Sequence, residues 1–186
     1  MNSLSNFIYR KAKQEDLSGI ARIVTNLIGT CNVDINDKLI KSSDDIFDKN
    51  IDTIKEEVEN YYVCEADNTI VGACGISNVL TKNNYGLKLG KYREILYLAV
   101  DDKYQNRGIG TKLMRICCEN NAYPIVYEAW GDNGKYVNSK FLLEKLGFTV
   151  LKNLGTSYYK EQGYCPFCVN RYKSCNSCLA EIWIKN

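Results

Sequence analysis

A chain of 186 residues, 45% hydrophobic and 25% charged, with two prolines and fourteen tyrosines, fits one ordinary domain. That composition excludes disordered, collagen-like and coiled-coil proteins. Twenty-four basic against twenty-two acidic residues leave a net charge of +2, too balanced to announce a nucleic-acid binder. Histidine is absent, which removes Ser-His-Asp, Cys-His and His-ligated metal chemistry and leaves proton transfer to Glu, Asp, Tyr, Cys, Lys or water.

In chain order, residues 7–10 read as a short strand. Asp16 stands where an N-cap belongs, ahead of Leu17, Ile20, Ala21, Val24, Leu27 and Ile28 on one helical face. Residues 34–59 hold a second helix, with Phe47, Ile51, Ile54 and Val58 at helical spacing. Nine acidic residues against four lysines give this stretch a local charge of −5. Residues 61–66 and 69–76 flank Asp67-Asn68 and form a β-hairpin. After a polar, Gly-containing loop, 93–100 is a third, strongly apolar strand. A helix from Gly108 to about residue 120 follows, then a strand at 125–130 and a helix at 137–146 stopped by Gly147. Strands at 148–154 and 180–184 close the chain around a Cys-rich stretch. This order predicts an α/β or α+β fold around one mixed sheet. Residues 1–13 hold no apolar run suited to a signal peptide. The longest apolar segment, 95–100, falls far short of the roughly 20 residues of a membrane helix, so the expected location is cytoplasmic with no membrane partner.

Between the third strand and its helix stands Asp101-Asp-Lys-Tyr-Gln-Asn-Arg-Gly-Ile-Gly110, followed by Thr111. Gly108 and Gly110 remove side chains that would keep a ligand from the backbone, and the helix start offers unsatisfied N–H groups to an anion. The spacing is neither a P-loop nor the dinucleotide fingerprint, whose third glycine is replaced here by Leu113. Gln105-Asn-Arg-Gly-Ile-Gly110, after a strand ending Ala99-Val100, closely resembles the acetyl-CoA signature of the GNAT acetyltransferase superfamily. Downstream, Asn138-Ser-Lys-Phe-Leu-Leu-Glu-Lys-Leu-Gly-Phe148 is similar to that family's Asn…Glu-Lys-x-Gly-Phe segment. The element order from residue 7 to about 154 fits as well.

The resemblance implies a mixed, mostly antiparallel central sheet flanked by helices, in a single domain spanning 1–186. It also implies that the strands ending at Val100 and Trp130 splay apart around the pantetheine arm of acetyl-CoA. Leu98 and Val100 would then offer main-chain hydrogen bonds. Gln105, Asn106, Arg107, Gly108, Ile109, Gly110 and Thr111 would wrap the pyrophosphate, with Lys103, Arg107, Lys112 and Arg115 near its charge. Asn138 is the matching asparagine, two residues nearer Gly147 than is usual. The implied activity is N-acetyl transfer from acetyl-CoA to a primary amine, on a small cationic molecule or a lysine-bearing peptide. An amine of pKa near 10.4 is neutral in roughly one molecule per few thousand at pH 7, so it needs a base. Glu94 is the best candidate, six residues before Val100, where several family members carry a glutamate. Glu128 on the partner strand is the reserve. The family's thiolate-protonating tyrosine falls on Leu143 here, so no general acid carries over, and Tyr136 is the nearest substitute. That loss keeps a rival reading open, a weakly active or inactive acyl-CoA-binding sensor. The acidic 34–59 stretch, in a region that commonly lines the acceptor side, favours a cationic acceptor by steering. Monomer and homodimer both remain open.

Nine cysteines divide into two groups. Cys31, Cys64, Cys74, Cys117 and Cys118 sit among apolar neighbours and look like small core residues. Cys165, Cys168, Cys175 and Cys178 form two C-x-x-C pairs, the pattern of a four-cysteine structural Zn²⁺ knuckle inserted at 163–179. The six-residue spacer is shorter than usual, and Cys165-Pro-Phe-Cys168 also resembles a redox pair. Zinc, free or redox-active thiols, and disulfides are thus the three readings, with zinc leading. A zinc ribbon on a nucleic-acid protein would need a basic patch that the chain lacks.

Overall fold

The computed structural model describes residues 6–28, 32–33, 39–40, 43–83, 85–119, 121–131, 134–158 and 178–186. The chain runs β1 (Ile8–Lys11), α1 (Leu17–Ile28), β2 (Asn32–Val33), β3 (Leu39–Ile40), α2 (Ser43–Lys55), β4 (Tyr61–Ala66), β5 (Thr69–Ile76) and β6 (Arg93–Val100). It continues through α3 (Ile109–Cys118), β7 (Ile125–Gly131), α4 (Lys140–Lys145), β8 (Thr149–Gly155) and β9 (Leu179–Lys185). Seven strands form one sheet in the order β1-β4-β5-β6-β7-β9-β8, and β2 pairs with β3 separately. Every neighbour pair in the large sheet is antiparallel except β6 with β7. The last strand lies between β7 and β8.

Among the described residues the two largest apolar clusters lie on opposite faces of the sheet. Against one face pack Ile20, Ala21, Ile23 and Val24 of α1, together with Phe47, Ile51, Ile54 and Val58, the four positions spaced for a helical stripe. Against the other lie Ile109, Leu113, Met114 and Cys117 of α3 with Leu143 of α4. Cys64, Cys74 and Cys117 are buried and Cys118 is half-buried, as small core residues should be. Cys31 lies outside the described residues.

Two local expectations need correction. Asp16 does not cap α1; it closes a 3₁₀ turn (Gln14–Asp16) and is buried. There it accepts from Arg10 Nη1 and Nη2 at 2.6 and 2.9 Å, while Arg10 also reaches Glu65 at 2.8 Å. The Arg10 guanidinium outweighs burial and holds the Asp16 carboxyl below the usual range. The second correction is that α4 starts at Lys140 and not at 137. The chain folds back over the end of β7, where a Cβ on Gly131 would lie 2.1 Å from the Tyr136 carbonyl. Only glycine permits that crossing, and Asn138 N–H then donates to Trp130 O at 2.8 Å. Residues 136–138 are committed to this contact before the helix can begin.

Candidate active site

β6 carries a bulge. Its pairing with β5 shifts register between Leu98, opposite Cys74, and Ile95, opposite Ile76. Two β6 residues oppose one on β5 there, so Leu96 and Tyr97, though consecutive, both pack toward the α1–α2 cluster. Such a bulge bends its strand. β6 pairs with β7 only at Arg93–Ile125 and Glu94–Val126. Beyond Glu94 the two strands part, and among the described residues no strand pairs with the edge of β6 from Ile95 to Val100 on the β7 side. Leu98 and Val100 line that gap.

At its far end lies the glycine turn. A 3₁₀ turn (Asp102–Tyr104) is capped by Asp101, whose Oδ1 accepts from Lys103 N–H at 3.1 Å. Asn106 (φ 60°) and Gly108 (φ 80°) both adopt the left-handed conformation, and Gly108 is the N-cap of α3. Glycine reaches that φ without strain, and alternating left- and right-handed residues gather N–H groups into an anion-binding concavity. No side chain caps α3. Its first N–H groups have no intrahelical acceptor and face out with the positive end of the dipole. A Cβ on Gly108 would meet nothing within 4 Å, so the turn is open to a ligand.

The turn's side chains serve the protein itself. Gln105 Nε2 donates to Val100 O at 3.1 Å and to Asp102 Oδ1 at 2.7 Å, which ties the turn to the end of β6. Arg107 lies over the Tyr104 ring and donates to Lys103 O. Lys112 Nζ sits 4.1 Å from the Tyr9 ring centroid. Ile109 is buried, so only its main chain can face a ligand; Thr111 is half-exposed. Arg115 is nearly two helical turns further on and borders a different cleft, with Lys145 and Lys185.

Glu94 marks the point where the strands separate. It is half-buried, its N–H donates to Ser77 Oγ at 2.9 Å, and Tyr85 Oη donates to its Oε1 at 2.6 Å. Burial pushes its carboxyl above the ordinary range; the Tyr85 bond pulls it down and the nearby Glu128 charge pushes it up. Glu128, two residues past Val126 on β7, shares this face, and Tyr85 lies within hydrogen-bonding reach of both carboxylates. Tyr85 belongs to the polar loop after β5, where nothing but a lone aromatic between Asn84 and Gly86 hinted at a role.

Asn138 is exposed, and Leu143 is fully buried in the α3–α4 core, so its position could not present a proton donor to the gap. Tyr136 is exposed with its ring 6.2 Å from Phe141. Of the four clustered cysteines only Cys178 lies within the described residues, buried just before β9 beside Trp130, Leu154 and Tyr158. Cys165, Cys168 and Cys175 fall outside them. Among the described residues no group of three or more metal-ligating side chains gathers. No helix among them is long and apolar enough to cross a membrane.

The GNAT acetyltransferase domain model matches residues 57–150, which run from the start of the hairpin through β6, the glycine turn and α4. The chain belongs to the GNAT acetyltransferase family and is an acyltransferase. No curated protein sequence matches it. Solved structures with the same fold include an N-acetyltransferase from Staphylococcus aureus Mu50, at 18% identity and a TM-score of 0.64 over 98% of this chain and 99% of that one. A putative acetyltransferase from Salmonella typhimurium, solved with its cofactor acetyl-CoA, gives 16%, 0.61, 97% and 93%. A mosquito arylalkylamine N-acetyltransferase-like protein gives 15%, 0.60, 97% and 99%.

Proposed function

We propose that this chain transfers the acetyl group of acetyl-CoA to a primary amine. One observation carries the reading: the gap between β6 and β7 has an uncapped helix start at one end and a half-buried carboxylate at the other. In this reading the main chain of residues 105–111 holds the pyrophosphate, and the exposed edge of β6 at Leu98 and Val100 takes the pantetheine amides. Because Val100 O already accepts from Gln105, its N–H is the group left for the ligand. Asn138 belongs to the rim of the gap. Glu94, directly or through one water, takes a proton from the ammonium. The amine nitrogen attacks the thioester carbonyl carbon, the adduct nitrogen gives up its second proton to solvent, the C–S bond breaks, and the CoA thiolate takes a proton from solvent. A thiol of pKa about 8.5 is a tolerable leaving group without a dedicated acid. The acceptor is expected to be cationic, because Glu94 and Glu128 both face it.

The test is release of CoA thiol from acetyl-CoA across a panel of polyamines, aminoglycosides and lysine peptides. At least one amine should be turned over, with one amide formed per CoA. Stable acetyl-CoA binding without turnover of any amine would favour a sensor.

We propose a structural role for the cysteine cluster as well. Cys165, Cys168, Cys175 and Cys178 would hold one Zn²⁺ as four thiolates. What supports this is the pairing of two C-x-x-C motifs; Cys178 stands just before β9, so a metal held there would fix the start of that strand between its two neighbours. Protein purified without chelator should carry about one zinc per chain, and Cys165→Ser should release it. Metal-free protein with four titratable thiols in this segment would contradict the site.

A further inference from the structure

The loop between β5 and β6 is closed at its base by Leu80 and Tyr92, whose main chains exchange hydrogen bonds of 2.8 and 3.0 Å. Inside it, Asn83 Oδ1 accepts from Tyr85 N–H and Leu87 N–H at 3.0 and 3.1 Å, and Asn83 Nδ2 donates to Leu87 O at 2.8 Å. Tyr92 Oη donates to Lys82 O, and Lys152 Nζ reaches across from β8 to Tyr85 O at 2.8 Å. Tyr85, Leu87 and Leu89 pack on Val126 and Ile182 of the sheet. A segment of polar composition is thus bound down at both ends, in its middle and from a neighbouring strand. The product of that bracing is one contact at the catalytic cleft, Tyr85 Oη to Glu94 Oε1 at 2.6 Å.

We infer that Tyr85 is a positioning residue for Glu94: its hydroxyl fixes one carboxylate oxygen and leaves the other to receive the proton of the acceptor amine. The inference rests on the reading of Glu94 as the base. A phenol that donates to a carboxylate stabilises the charged form and restrains its side-chain torsions. Tyr85 is held protonated by burial and by the two carboxylates, so it acts as a fixed donor and relays no proton. The charge facing Glu94 from β7 is Glu128, which works in the opposite sense. Tyr92, just before β6, and Tyr158 beyond β8 also face it, and both are phenols raised by burial, hence uncharged.

The two neighbours should therefore move Glu94 in opposite directions. In protein labelled with ¹³C-glutamate, the Glu94 carboxyl signal is assigned by its loss in Glu94→Gln and followed against pH. Tyr85→Phe keeps the ring that packs on Val126 and removes only the hydroxyl. Its Glu94 midpoint should rise by about one pH unit. Glu128→Gln should lower the midpoint, and Asn83→Ala, which loosens the loop, should raise it less than Tyr85→Phe does. With the acceptor identified in the amine panel, the acid limb of kcat/KM should follow the same order. An unmoved or lowered midpoint in Tyr85→Phe overturns the inference, whatever Glu94 does. If Tyr85→Phe moves the midpoint while Glu94→Gln keeps the parent's rate, the contact stands but the base is another residue.

Discussion

Glu94→Gln is expected to slow acetyl transfer by two to four powers of ten, roughly the range for loss of a positioned general base. Affinity for acetyl-CoA should change by less than about twofold. The separation follows from where Glu94 sits. It occupies the last paired position between β6 and β7, at the opposite end of the gap from the glycine turn, so it can act on the acceptor without contributing to nucleotide binding. Glutamine keeps the size, can still accept from Tyr85, and loses the basicity. Sign and pH follow from the same environment. Burial raises the carboxyl's pKa, so the parent should lose activity as pH falls through a midpoint above that of an ordinary glutamate. The variant should lack this acid limb. Above the pKa of the amine the difference should shrink, because the acceptor then arrives deprotonated. A rate unchanged by the substitution near neutral pH would transfer the role to Glu128.

Gly110→Val is expected to weaken acetyl-CoA by about 100-fold, or about 2.7 kcal/mol, with the fold retained. A Cβ at this position would stand 3.6 Å from Val100 Cγ2, 3.7 Å from Leu142 Cδ1 and 3.9 Å from Leu98 Cδ1. Those are ordinary contacts, so the protein alone tolerates the added carbon. The branches of valine would then project into the mouth of the gap, between β6 and α4. Gly108→Val should also weaken binding, for a different reason. Its backbone lies at φ 80°, where a β-branched residue is strained by roughly 1–3 kcal/mol. The turn would change shape and the melting temperature would fall as well. Thermal shift with acetyl-CoA separates the two: the Gly110 variant should melt like the parent without ligand and respond little when ligand is added. A full parental response in both variants would remove the turn from the binding site.

Much of this fold was legible because the hydrophobic pattern and the turn chemistry agree. Phe47, Ile51 and Ile54 fall at helical spacing on α2 and share one core with Val58, which the spacing predicts on the same helix but which stands past its end in a 3₁₀ turn (Val58–Asn60). Asp67 and Asn68 take positive φ between two strands, as a two-residue hairpin turn requires. The glycine turn could be read because its chemistry is main-chain: a left-handed residue at a helix start needs glycine wherever the fold places it. What could not be read depends on contacts distant in sequence. Asp16 has the look of a cap, but Arg10, which also holds Glu65 of β4, claims it from β1. Gln105 belongs to the signature, yet its side chain is spent on Val100 and Asp102 within the turn. The pairing of Tyr85 with Glu94 depends on how Asn83 folds a loop, and no periodicity encodes that. The parting of β6 and β7 follows from a bulge that leaves no mark in the pattern 93–100.

The most direct test of the account is a crystal structure of the protein with acetyl-CoA. The account predicts the pyrophosphate on the main-chain N–H groups around Gly108, the pantetheine arm between β6 and β7, and the acetyl carbon on the Glu94 side of the gap. Acetyl-CoA bound elsewhere, with β6 and β7 paired along their length, would contradict it.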